Sequence, residues 1–205
     1  MANLKETLLN PIFKGNPITV LVLGICSSLA VTVQLKGALV MALSVTIVTG
    51  LSSLVVSMMR KSIPNRIRII VQLVVVSLMV ILVDQVLKAY AYSISKTLSV
   101  YVGLIITNCI VMGRIEAFAL SNKPVPSLLD GLANGAGYGM ILIIVAFFRE
   151  LLGSGTLLGF RVIPEAFYTA GYMNNGLVIL PPMALIILGC IVWVQRSIQK
   201  DLQEK

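Results

Sequence analysis

The chain has 205 residues, of which 58% are hydrophobic and only 12% charged, with a formal charge of +8 and no histidine. Soluble domains carry about 25% charged residues and small folded chains still expose much of their area, so this composition excludes a water-soluble globule and makes lipid the solvent. The basic residues stand at the ends of apolar runs rather than in a patch, which argues against a nucleic-acid partner, and the missing histidine removes the usual neutral metal ligand and near-neutral acid–base catalyst.

Residues 1–16 hold Lys5, Glu6 and Lys14 without an apolar run and cleavage site, so they do not read as a signal peptide. The first apolar run covers about residues 17–33 and carries Cys26 in Gly24-Ile25-Cys26-Ser27-Ser28-Leu29-Ala30. A second run covers 38–59 and a third 67–90, with Pro64 marking a tight turn between them. Near the end of the third, Asp84 and Lys88 are four apart and can pair on one helix face; a position within reach of the interface favours that pair over an ion path. The fourth run, 98–112, carries Cys109 in Thr107-Asn108-Cys109-Ile110-Val111-Met112-Gly113. Arg114 and Glu116 follow it and read as interface anchors or subunit contacts, as do Arg149 and Glu150 after the next run.

The fifth run, 128–148, is opened by Asp130, a carboxylate suited to a helix N-terminal dipole. Gly131, Gly135 and Gly139 form small-xxx-small pairs that predict close helix packing. A glycine-rich cofactor loop is excluded there, because no strand precedes it and the spacing is wrong. Residues 153–176 form the longest polar-leaning connection, expected as an exterior loop, with partner docking as its secondary reading. The sixth run, 177–194, contains Cys190, read as a packing residue, and Trp193, which with Tyr90, Tyr92 and Tyr101 sits where interfacial aromatics do.

A spanning helix needs about 20 residues. The second, third and fifth runs meet that; the first, fourth and sixth are short, so some are expected to be broken or partly spanning. Six crossings put both termini on one side. That side then carries Lys5, Lys14, Arg60, Lys61, Arg66, Arg68, Arg114, Lys123, Arg196, Lys200 and Lys205, against Lys36, Lys88, Lys96, Arg149 and Arg161 on the other. The positive-inside rule places both termini in the cytoplasm. Each half shows the same order, a short run with a cysteine, a long run, a charged turn and a third run. The expected architecture is thus all-α, one integral membrane domain over 1–205, built as two inverted three-helix repeats of about 11–92 and 93–200.

In that frame Cys26 lies 12 residues after Lys14 and Cys109 lies 13 after Lys96. As straight helices entering from opposite faces, these segments place the sulfurs roughly 8 Å apart along the membrane normal. Breaks at Gly24 and at Thr107-Asn108 would close that gap, since glycine and asparagine tolerate left-handed backbone. Two thiols are half of the four an iron–sulfur cluster normally needs, which points to a site completed by a second chain. A free cysteine also serves as a small buried hydrophobe, and both readings stand at this point. A secondary transporter with inverted repeats is a further alternative, although few intramembrane ionisable residues exist to build its polar midplane site.

The chain resembles the Nqr/Rnf membrane subunit family over nearly its whole length. The matching stretches are Asn16-Pro17 with Gly24 to Thr32, then Ile105 to Ala119 including Thr107-Asn108-Cys109-Ile110-Val111-Met112-Gly113-Arg114-Ile115-Glu116, Ser127 to Gly131, and Phe148 to Leu157. The likeness is to the D-type subunits of the bacterial sodium-translocating NADH:quinone oxidoreductases. The E subunit of the related Rnf ferredoxin:NAD oxidoreductase shares much of the pattern and is the alternative. The resemblance implies a six-helix protein of the bacterial inner membrane, paired with a similar, oppositely inserted E subunit and assembled with the A, B, C and F subunits. It implies that Cys26 and Cys109 hold, with two cysteines of the E subunit, a [2Fe–2S] cluster or iron centre. Electrons would reach it from the F subunit and pass towards flavins on the C and B subunits and then ubiquinone, with sodium pumped outwards. NADH, flavins and quinone would be bound elsewhere in the complex, and no catalytic residue is expected on this chain.

Overall fold

The computed structural model describes residues 15–90, 101–157, 160–161 and 176–198. They form α1 (Ile25–Val31), α2 (Leu35–Met59), a 3-10 turn (Asn65–Ile67), α3 (Arg68–Tyr90), a helical stretch α4 (101–106), α5 (Cys109–Arg114) running into a π-helical turn (Ile115–Ala119), and α6 (Pro124–Ser154). A minimal hairpin of β1 (Thr156–Leu157) and β2 (Phe160–Arg161), a second 3-10 turn (Gly176–Ile179) and α7 (Pro181–Ile198) complete them.

Five stretches among the described residues are long and apolar enough to cross a membrane: α2, α3, the discontinuous Tyr101–Ala119, α6 and α7. The protein is thus helical and multi-pass. The first run, expected over 17–33, does not make a continuous helix. After Asn16, whose Oδ1 accepts from the Ile18 N–H at 3.0 Å, the chain makes turns, reaches left-handed backbone at Val22 (φ 57°) and Gly24 (φ 80°), and only then enters the seven-residue α1. A β-branched valine at positive φ is strained, and glycine is the residue that takes that conformation without a Cβ penalty. The straight-helix rise assumed for the depth of Cys26 therefore does not apply to it. The fifth run is longer than expected. Pro124 suits the first turn of α6, where an N–H has no intrahelical partner, and Gly155 ends the helix in left-handed backbone with its N–H on the Leu151 carbonyl.

The most extensive contact among the described residues joins the two longest helices, α2 and α6. A Cβ added at Gly131 would stand 2.8 Å from the Thr49 carbonyl oxygen, at Gly135 2.6 Å from Thr46 Cα, and at Gly139 2.9 Å from Ala42 Cβ. Numbers rising on α6 meet numbers falling on α2, so the helices cross antiparallel with almost no side chain between them. Lipid tails are as apolar as leucine, so close van der Waals fit and not water exclusion holds such a seam. Two threonine hydroxyls at this seam bond their own helix, Thr46 to the Ala42 carbonyl at 2.7 Å and Thr49 to that of Val45 at 2.6 Å. The outward faces carry Leu43, Ile47, Ile69, Ile70, Val74, Leu78, Ile144 and Ile186.

Charges close the ends of the bundle. Arg60 and Ser57 both donate to the Asn122 carbonyl, at 2.6 and 2.7 Å. Glu116 accepts from Arg68 and, at 2.6 Å, from Gln72. Arg114 pairs with Asp130 through two bonds of 2.9 and 2.5 Å. Arg114 and Glu116, expected as interface anchors or subunit contacts, are thus ties within the chain. Asp130 also stands seven residues into α6 rather than opening it, because the helix begins at Pro124. Asp84 and Lys88 pair at 2.7 Å, as their spacing predicts. The polar connection expected over 153–176 falls mostly outside the described residues.

Candidate metal centre

Both cysteine segments are broken helices, and each break lies just before its sulfur. Gly24 caps α1 in left-handed backbone, with Cys26 the second helical residue. Asn108 caps α5, its Oδ1 accepting from the Ile110 N–H at 3.1 Å, with Cys109 the first helical residue. Backbone freed by a break must find partners in lipid. The Asn108 side chain does this for the Ile110 N–H, and hydroxyls add bonds to carbonyls beside the breaks: the Gly24 carbonyl, which takes the Ser28 N–H at 3.2 Å, also accepts from Ser27 Oγ at 3.0 Å and Ser28 Oγ at 2.9 Å. Thr107 Oγ1 donates to the Gly103 carbonyl at 2.9 Å.

The two breaks are packed on each other. A Cβ at Gly24 would meet Ile110 Cδ1 at 2.6 Å and the Tyr138 ring at 3.1 Å, and one at Gly113 would meet Leu23 at 3.1 Å. Cys26 and Cys109 consequently line one small pocket of about 30 Å³, with Gly24, Ser27, Leu104, Thr107 and Asn108. Both thiols are free and exposed at the protein surface. Cys190 is also exposed and lines a separate, wide apolar groove between α6 and α7 rather than this pocket.

Two sulfurs at the mouth of a shared pocket suit iron in ligand type, since thiolates are soft donors. They supply half of a four-sulfur set. No group of three or more metal-type side chains gathers among the described residues, so iron held here needs ligands from outside them. The pocket has room for about one water, so a metal centre would lie at its mouth and not within it.

The polar support of the site is more extensive than sequence reasoning found. Tyr138, fully buried in the middle of α6, places its hydroxyl 2.6 Å from Ser27 Oγ. Asn108 Nδ2 approaches the same Ser27 Oγ at 3.4 Å. Asn16 Nδ2 donates to the Gly137 carbonyl at 3.1 Å and holds the entry to the first break against α6. Arg149, 1% exposed, donates to the Leu29 carbonyl and Thr32 Oγ1 at the far end of α1 (3.2 and 2.6 Å) and to the Val178 and Ile179 carbonyls (3.2 and 2.5 Å). Glu150 accepts from the Leu35 N–H at the start of α2, at 2.6 Å. A cation on carbonyls at one helix end and an anion on an N–H at the next complement both helix dipoles. Arg149 and Glu150 are therefore an internal clasp on the α1–α2 joint and not the interface anchors expected. Tyr138 could have been found in the sequence, since one tyrosine stands among glycines at the centre of an apolar run.

A family model described as Rnf-Nqr subunit, membrane protein, matches residues 4–192. Among curated proteins, the chain is 58% identical to the D subunit of the Na(+)-translocating NADH-quinone reductase of Haemophilus influenzae strain PittGG, over 98% of this chain and 97% of that protein. It is 55% identical to the proteins of the same name from Pseudomonas paraeruginosa strain PA7 and Pseudomonas aeruginosa strain LESB58, in each case over 98% of this chain and 90% of the relative.

Proposed function

The chain belongs to the Rnf-Nqr family of membrane subunits, and from that premise we propose that it is the D-type subunit of a sodium-translocating NADH:quinone reductase in the bacterial inner membrane, with Cys26 and Cys109 contributing two ligands to an intramembrane iron centre shared with an E-type subunit. The names of the relatives support this reading over the Rnf alternative. A [2Fe–2S] or mononuclear iron centre bound there would supply a one-electron relay between the F subunit and the flavins of the C and B subunits. Such a relay has a physical motive, because about 30 Å of hydrocarbon is too far for one useful electron hop.

The observation that carries the proposal is the convergence of both thiols on one surface pocket at two mutually packed helix breaks. The chain's part is to hold two sulfurs at fixed spacing, cap the second break with Asn108, brace carbonyls beside both breaks with Ser27, Ser28 and Thr107, and leave the sulfurs open for the partner's ligands. NADH, flavin and quinone sites belong to other subunits on this reading, and both termini face the cytoplasm.

The test is iron content and the electron paramagnetic resonance spectrum of the reduced, purified complex, for the natural chain and for Cys26→Ala and Cys109→Ala. The expected result is loss of the iron and of its signal in both variants, with Cys190→Ser unchanged. Iron that persists in both variants would sink the proposal.

A further inference from the structure

One buried hydroxyl joins the two helix breaks. Ser27 Oγ carries a single hydrogen, and the Gly24 carbonyl lies 3.0 Å away to receive it. Ser27 Oγ is then an acceptor towards its other neighbours, the Tyr138 hydroxyl at 2.6 Å and Asn108 Nδ2 at 3.4 Å. Assigning the Ser27 hydrogen to the Gly24 carbonyl makes the Tyr138 O–H the donor in the 2.6 Å contact. Ser27 adjoins Cys26 in the chain and Asn108 adjoins Cys109. The bridge therefore runs from one cysteine's neighbour to the other's, and its anchor is the middle of α6, the helix packed along α2.

The surroundings remove other roles for this tyrosine. It is fully buried, it is not at a helix end where interfacial aromatics sit, and its ring packs beside Gly24. Phenylalanine would fill the same space, so packing alone does not require the hydroxyl. A buried donor in an apolar span costs free energy unless it is bonded, and this one is bonded only at the site between the cysteines.

We propose that Tyr138 is a positioning residue for the intramembrane electron centre: its hydroxyl, through Ser27 and Asn108, sets the spacing of Cys26 and Cys109 and aims the positive end of an O–H dipole at the sulfur pocket. This deepens the metal-centre reading and rests on it. Fixed dipoles and hydrogen bonds around the sulfurs are among the factors that set the potential of such a centre. Loss of the hydroxyl removes a donor that favours the more reduced, more negative state.

The experiment compares the purified complex carrying the natural chain with Tyr138→Phe, Ser27→Ala and the double variant. Readouts are iron per complex, the shape of the resonance signal and its midpoint in a redox titration. The expected result is full iron in Tyr138→Phe, with a broadened signal and a more negative midpoint. The double variant should shift no further than Ser27→Ala, because that substitution already removes the bond that Tyr138→Phe removes. Unaltered shape and midpoint in an iron-replete Tyr138→Phe complex overturn the proposal. If that variant fails to assemble, an unaltered signal in Ser27→Ala overturns it from the other end of the bond. Absence of a Cys26- and Cys109-dependent signal in the natural complex is a different failure, that of the metal-centre reading itself.

Discussion

Gly24 is where backbone and packing agree most closely. An L side chain at φ 80° costs roughly 1–2 kcal/mol, and its Cβ would also meet Ile110 at 2.6 Å and the Tyr138 ring at 3.1 Å. Gly24→Ala should therefore reduce the yield of assembled complex and lower its thermal midpoint, as size-exclusion chromatography and a thermal melt would read. Equal yield and melting would mean that the break is not needed in this form. Arg149 presents the opposite situation, one side chain satisfying four acceptors. Lysine keeps the charge but loses the planar fork. Arg149→Lys should cost on the order of 3 kcal/mol, the scale of a charged hydrogen bond lost from a buried site. Glu150→Gln should be milder, because the amide oxygen still accepts from Leu35. A melt in which the two variants were equally stable would contradict this ranking.

Between elements, the decisive contact is α2 against α6. Any side chain at Gly135 must displace the backbone of Thr46, and overpacking of a close seam costs about 1–3 kcal/mol or more. Gly135→Val should lower the thermal midpoint more than Leu43→Val, whose side chain points outward. The reverse order would argue against the antiparallel seam. This contact was legible in the sequence, because glycine at every fourth position states a helix face with no side chains on it. So were the breaks, since glycine and asparagine before each cysteine are residues that leave the helix readily. The clasps were not legible. Arg149 and Glu150 look like interfacial charges to any reading that scores residues by distance from a helix end, and only the three-dimensional path shows that the ends of α1 and α2 come back to meet them. Asp130 was misjudged for a related reason. Its helix begins six residues earlier, at Pro124, where polarity gives way too gradually to mark a boundary. Tyr138 is hidden in the sequence because hydropathy treats a buried tyrosine as one more apolar residue.

At the scale of the molecule, the arrangement of charges makes a topological prediction. With both termini cytoplasmic, a reporter that is active only in the cytoplasm should work when fused after Lys205, and one active only in the periplasm should be silent there. The opposite pattern would reverse the proposed orientation. The clasp at Arg149 and Glu150 bears on how such a chain is made. Its bonds to the first cysteine helix and to the start of α2 span 120, 117 and 115 residues. Chains emerge from the ribosome N-terminus first at about 5–20 residues per second. The helix bearing Cys26 therefore waits several seconds for these bonds, until α6 is synthesised. On the proposed metal-centre reading, iron would be loaded onto the paired thiols after that moment.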